Sequence, residues 1–418
     1  MTLKKIALTF DPSYEGYCRR GETSFMGALC KRVIHVKDTY FFAELRTLGV
    51  EVKILDPVIA ETTEQAIERF LPELEKAQLV FHQTDRVADG MGDRGWRERY
   101  QEGIERFVHD NFLYKGHLVV PNSRSYDNKT NGVRIAREAG IPIPQTRTPA
   151  QYLAAGAPLP AVVKGTQGTC GDEIFYFDLP QQVERFFGKK GWEKLGLAPP
   201  AEDKYLIQQF ILTPSDHFTH YRIFTLGDGT IVGAMLTASA DRKTEVQRIS
   251  EPGPFGTGSN FFTNVDSPLY LGYIGVTSNA AEERSQIPLN PNQNSARITP
   301  YEGEILAAHG LDPINPQLPQ RLQKLAAKTA RAFSRYGCAY GGQDWIQDCN
   351  DNFYFLEINR SPGMELFRTV YGSSTKLNDK EKAELGGKML AKFMLKYNGS
   401  VAFPHLMNVD LSPSMNSV

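Results

Sequence analysis

The chain has 418 residues, of which 41% are hydrophobic and 23% charged, with a formal net charge of -1. That length accommodates about two to three domains with a large core, and near-neutrality predicts no bulk attraction to nucleic acid or an acidic membrane, while leaving room for a locally basic pocket. Cys18, Cys30, Cys170, Cys338 and Cys349 are scattered without a Cys-x-x-Cys pair, so neither a disulfide framework nor a zinc site is expected, and a cytoplasmic location is. No run approaches the roughly 18 apolar residues that span a bilayer. The opening MTLKKIALTF, broken at Asp11-Pro12, reads as a strand and not as a secretory signal.

Residues 1–120 alternate strand and helix signals. Strands are expected at Lys5–Phe10, Val50–Leu55, Gln78–His82 and Leu118–Val120, with helices at Asp38–Leu48, Thr62–Lys76 and Glu102–Phe112. This is a leading α/β domain with a parallel sheet. A helix over Asn128–Gly140 ends at a glycine, after which Pro142 and Pro144 forbid continuation. Ala161–Lys164 and Glu173–Phe177 read as a hairpin around the glycine-bearing loop Thr166–Gly171. Strands follow at Tyr205–Ile211, Tyr221–Leu226 and Thr230–Leu236, the last two joined by the turn Gly227–Gly229. Residues 265–316, rich in Pro, Asn, Ser and Gly, carry little periodicity beyond Gly303–Ala308 and are expected to be a substrate-covering insertion. A helix over Leu318–Tyr336, strands at Tyr340–Asp348 and Phe353–Asn359, and a helix over Asp379–Tyr397 complete the series. The fold class is therefore α/β (α+β). Its expected parts are the 1–120 domain, a small subdomain 121–212, a large subdomain 213–400 and a tail 401–418.

Chemistry concentrates near the end of the chain. Glu357 and Asn359 stand two apart on a strand and so share a face, and hairpin pairing brings Asp344 beside them. Three oxygen donors among apolar neighbours suit a hard cation, and magnesium favours such a site. Lys164 closes the strand AVVK before GTQGTCG, where an ammonium and backbone N–H groups can meet an anion. Lys129 opens the preceding helix. Gln208 and Gln209 interrupt the apolar strand YLIQQFI, a place for a side-chain amide and free backbone groups to meet a base. Asp85–Arg99, with four arginines and Trp96, could clamp a carboxylate; a solvated charged helix start is the plainer reading.

In this order, Lys129, Lys164 with its glycine loop, YLIQQFI, YRIF, then Asp344 and FLEINRSPG, the sequence resembles the ATP-grasp superfamily over about residues 120–370. It is most similar to the branch with ribosomal-protein glutamate ligases, glutathione synthetase and other amino-acid ligases. The resemblance implies two α+β subdomains clasping ATP and a magnesium ion, with manganese as the alternative. Lys129 and Lys164 would meet the phosphates, Thr166, Gly168 and Gly171 would belong to a mobile lid, and Gln208, Gln209, Phe210 and Ile211 would form the adenine hinge. His220 stands where the family's Asp-x-Arg motif has its aspartate, near the ribose, and Arg222 matches the motif's arginine. Asp344, Glu357 and Asn359 match the magnesium ligands, and Arg360–Gly363 would line the acceptor's entrance. Arg242, Lys243 or Arg248 would supply the cation that relatives carry after the strand ending at Leu236-Thr237.

The implied activity is ATP-dependent carboxylate–amine ligation through an acyl phosphate, joining amino acids or small peptides and releasing ADP and phosphate. The alternatives are an ATP-grasp phosphotransferase, a peptide- or protein-modifying ligase, a thiol or hydroxyl acceptor, and an idle nucleotide-binding scaffold. The expected partners are small carboxylates and amines, without nucleic acid or membrane, and a homo-oligomer is left open.

Overall fold

The computed structural model describes residues 5–10, 43–55, 68, 71–72, 79–83, 118–120, 129–155, 159–166, 174–177, 180–188, 193, 204–242, 284–289, 298–336, 338 and 340–359. The expected helices Glu102–Phe112 and Asp379–Tyr397, the segment Asp85–Arg99, residues 360–363 and the tail 401–418 lie outside them, as does nearly all of Thr62–Lys76.

Among the described residues there are three sheets. The first holds β1 (Lys5–Phe10), β2 (Glu51–Leu55), β3 (Leu79–Gln83) and β4 (Leu118–Val120) in the order β2-β1-β3-β4. Every pairing in it is parallel, as the short apolar runs predicted. Helix α1 (Ala43–Thr47) is described over the end of its expected span, and Gly49 closes it at φ 81.

The second sheet is antiparallel, in the order β5 (Thr146–Arg147), β8 (Tyr205–Gln209), β6 (Ala161–Gly165), β7 (Ile174–Phe177). Helix α2 (Lys129–Glu138) precedes it and stops at Gly140 in the left-handed region, φ 59. Helices α3 (Pro149–Ala155) and α4 (Pro180–Phe187) complete the unit. Phe177, Phe186, Phe187 and Tyr205 are all buried there in a run of tilted and edge-on ring contacts.

The third sheet runs β11 (Arg284–Pro288), β10 (Ile231–Arg242), β9 (His217–Leu226), β12 (Tyr340–Gln347), β13 (Phe353–Asn359), again antiparallel. β9 and β10 extend well beyond the expected spans, because Thr219–Ala238 and His217–Arg242 pairing prolongs the hairpin past its apolar centre. One face packs on α2, α5 (Pro300–Ala308) and α6 (Gln320–Ser334): Ile135, Leu306, Leu322 and Phe333 meet Tyr221, Ile223, Trp345 and Phe355.

Of the 265–316 stretch, residues 284–289 and 298–316 are described. Its described part is core: β11 pairs with β10, and Ile287, Leu289, Ile305, Leu306 and Leu311 are buried. Thr299-Pro300-x-Glu302 is the sequence signal for the start of α5. Thr299 caps α5, accepts from the Glu302 N–H and returns its own N–H to the Glu302 carboxylate.

Candidate functional site

Strand register lines up the acidic site. Arg222 on β9 pairs with Asp344 on β12, and Asp344 pairs with Glu357 on β13, so the three form one row across adjacent strands. Their neighbours Tyr221, Gln343 and Trp345 point into the core on the opposite face. Gln343 donates to Thr225 Oγ1 (2.8 Å) and to the Ala326 carbonyl of α6 (2.9 Å), and accepts from Trp345 Nε1 (2.9 Å). These bonds on both sides of Asp344 fix its height in the strand.

A β-bulge aims Glu357. Trp345 pairs with Phe355 while its neighbour Asp344 pairs with Glu357, so Leu356 is the extra residue. Plain alternation from the buried Phe353 and Phe355 would send Glu357 into the core. The bulge turns it to the face that carries Asp344. Asn359 follows on that face and its Nδ2 lies 3.3 Å from Asp344 Oδ2, so Asp344, Glu357 and Asn359 share one face of the sheet.

Asp344 is 5% exposed and held by a two-pronged pair: Arg222 Nε donates to Oδ1 and Nη2 to Oδ2, both at 2.8 Å. Burial raises the carboxyl's pKa, but the Arg222 charge and hydrogen bonds, with help from His220 and Lys164, outweigh it and hold the group below its ordinary range. His220, two residues from Arg222, therefore belongs to this face.

The second sheet brings the lysines. Lys129 ties α2 to the end of β6: its N–H donates to the Thr166 carbonyl (3.0 Å) and its Nζ to the Gly165 carbonyl (3.3 Å). Its Nζ also lies 3.9 Å from Glu357 Oε2, which joins the two sheets at the acidic row. Lys164 Nζ donates to Gln208 Oε1 at 2.8 Å. Burial lowers its pKa to about 8; Lys129 adds to that, while Glu357 and Asp344 oppose it. Two ammonium groups and two carboxylates thus converge where β6 and α2 meet β12 and β13, an arrangement suited to a polyanion with a divalent cation.

Other expected residues take different positions. Thr166 is 4% exposed; its N–H donates to the Lys204 carbonyl (2.7 Å), so it anchors the end of β6, and the rest of the glycine loop lies outside the described residues. Gln208 and Gln209 project to opposite faces of β8. The expected free donors are engaged: the Gln209 N–H goes to the Gln145 carbonyl (2.8 Å) and the Phe210 N–H to that of Pro160 (2.9 Å). Phe210 rests on Phe218, and Ile211 is buried. Arg242 lies at the end of β10, its side chain outside the described residues together with Gly168, Gly171, Lys243 and Arg248.

No described helix is long and apolar enough to cross a membrane. No protein-family model and no curated protein matches the sequence. Among solved structures, the chain is similar to the ATP-grasp ligase PsnB complexed with a phosphomimetic variant of its minimal precursor, Mg and ADP, at 14% identity and TM-score 0.46, over 94% of this chain and 100% of that one. It is also similar to the D-cycloserine synthetase DcsG, at 13% identity and TM-score 0.48, over 93% and 99% of the two chains. A third similar structure is D-alanine–D-alanine ligase from Bacillus anthracis complexed with ATP, at 11% identity and TM-score 0.46, over 94% and 99%.

Proposed function

We propose that this protein is an ATP-dependent carboxylate–amine ligase that forms an amide or peptide bond between small substrates, amino acids among them. One observation carries the reading: Lys129 and Lys164, from α2 and β6, come together with Asp344 and Glu357, from β12 and β13, with Lys129 3.9 Å from Glu357. A nucleotide triphosphate with its cation needs both halves.

The donor set fits magnesium. Asp344 and Glu357 are register partners, Asn359 adjoins them, and Asp344 is held ionised. All three supply hard oxygens. Three donors from Arg222 and Asn359 take three of the roughly four acceptor positions of Asp344. When bound, the ion supplies charge neutralisation on the phosphates.

In the proposed reaction a substrate carboxylate oxygen attacks the γ-phosphorus and ADP leaves. The amine then attacks the acyl carbon, phosphate departs, and the amine's proton is lost. Lys129 and Lys164 hold the phosphates in line, and Arg222 faces the charge that develops as the phosphoryl group moves. Incubating the protein with ATP, Mg2+ and pooled acids and amines, and following ADP and new masses, tests this. ADP release that requires an acid–amine pair and yields an amide supports ligation. A stable phosphorylated product without amide would establish a phosphotransferase instead.

A further inference from the structure

Gln208 sits where the sequence places an adenine hinge, yet its side chain is 4% exposed and both ends of its amide are engaged within the protein. Register accounts for this. Lys164 and Val162 share one face of β6, and their partners Leu206 and Gln208 share the same face of β8, with Thr146 of β5 opposite Gln208.

The polarity of the resulting chain follows from elementary donor rules. Thr146 Oγ1 lies 2.8 Å from the Pro144 carbonyl, which only accepts, so the hydroxyl hydrogen is spent there. Thr146 Oγ1 can then only accept from Gln208, and the atom 3.1 Å away is the amide nitrogen. This turns Oε1 toward the Lys164 ammonium at 2.8 Å. Every link is directed: Lys164 to Gln208, Gln208 to Thr146, Thr146 to Pro144.

We infer that Gln208 is a positioning residue, which through its Thr146-anchored amide fixes the direction in which the Lys164 ammonium meets an anionic ligand, without touching that ligand. The inference rests on the nucleotide reading above. A neutral acceptor suits the task better than the alternatives. Leucine would leave a buried ammonium proton without a partner. Glutamate would offset the lysine's charge, which the ligand needs, and when ionised has no hydrogen to give Thr146. An amide holds one proton of Lys164 and leaves its charge for the phosphates.

A double-mutant cycle tests it. A non-hydrolysable ATP analogue with Mg2+ is titrated calorimetrically into wild type, Gln208→Met, Lys164→Met and the double variant, with melting curves for each. Gln208→Met is expected to weaken binding about tenfold in the wild-type background and less than about twofold once Lys164 is gone. Thr146→Val should reproduce part of the loss, and Thr146→Ser should restore it. Equal losses in both Lys164 backgrounds, or no loss from Gln208→Met, would overturn the inference. If Gln208→Met does not fold, the Thr146→Val and Lys164→Met cycle makes the same distinction. A wild type that binds no nucleotide would instead overturn the ligase reading on which the inference stands.

Discussion

Arg222 grips both oxygens of Asp344 from the neighbouring strand, at 2.8 Å each, and so competes with a divalent cation for the carboxylate expected to bind it. Asp344 is almost wholly buried, so removing the guanidinium strands a charge. Arg222→Met is expected to cost about 3 kcal/mol of stability, measured by denaturant unfolding. Manganese should then raise the melting temperature of this variant more than that of wild type, since its competitor is gone. Equal shifts in the two proteins would contradict the competition.

Glu357 reaches its position through the bulge at Leu356 and lies partly exposed beside Lys129. Glu357→Gln keeps the shape and removes the charge. Nucleotide-dependent turnover should fall on the order of a hundredfold or more, with a melting temperature close to wild type. Near-wild-type turnover would refute the metal assignment.

Lys164 gives a pH signature. Burial brings its pKa to about 8, so nucleotide affinity should decline as pH rises from 7 to 9 and the ammonium loses its proton. Lys164→Met should flatten that decline. For stability the sign is opposite: between about 8 and the lysine's ordinary value the unfolded chain binds more protons, so this group's contribution favours folding increasingly as pH rises through that window. Calorimetric titration and unfolding across pH check the two trends.

Leu306 tests the role of the chain between 298 and 316. It is fully buried in the core beneath the third sheet, so Leu306→Ala should cost about 2–5 kcal/mol. A substitution in a covering lid would leave global stability unchanged and alter only substrate binding.

The strands of the first sheet were legible because KIALTF and EVKIL are short runs rich in β-branched and apolar residues. Period-two alternation was enough to put Asn359 with Glu357. It could not reveal that Glu357 escapes the face of Phe355, since the bulge at Leu356 leaves no mark in composition. The Arg222–Asp344 pair spans 122 positions and depends on β9 lying between β10 and β12, a matter of sheet order that local pattern does not encode. Gln208 was found for its polarity on an apolar strand, but its partner Thr146 comes from a two-residue strand too short to carry a periodic signal. β11, RSQIP, has no strand alternation and is recruited by the edge of β10.

The proposed place of a nucleotide triphosphate with its cation is beside Lys129 and Lys164, where they approach Glu357 and Asp344. Equilibrium binding of MgATP to wild type, Lys129→Met and Glu357→Gln addresses it most directly. Saturable binding by wild type and a loss of about tenfold or more in each variant are expected. MgATP affinity that is unchanged in both variants would place the nucleotide elsewhere and contradict it.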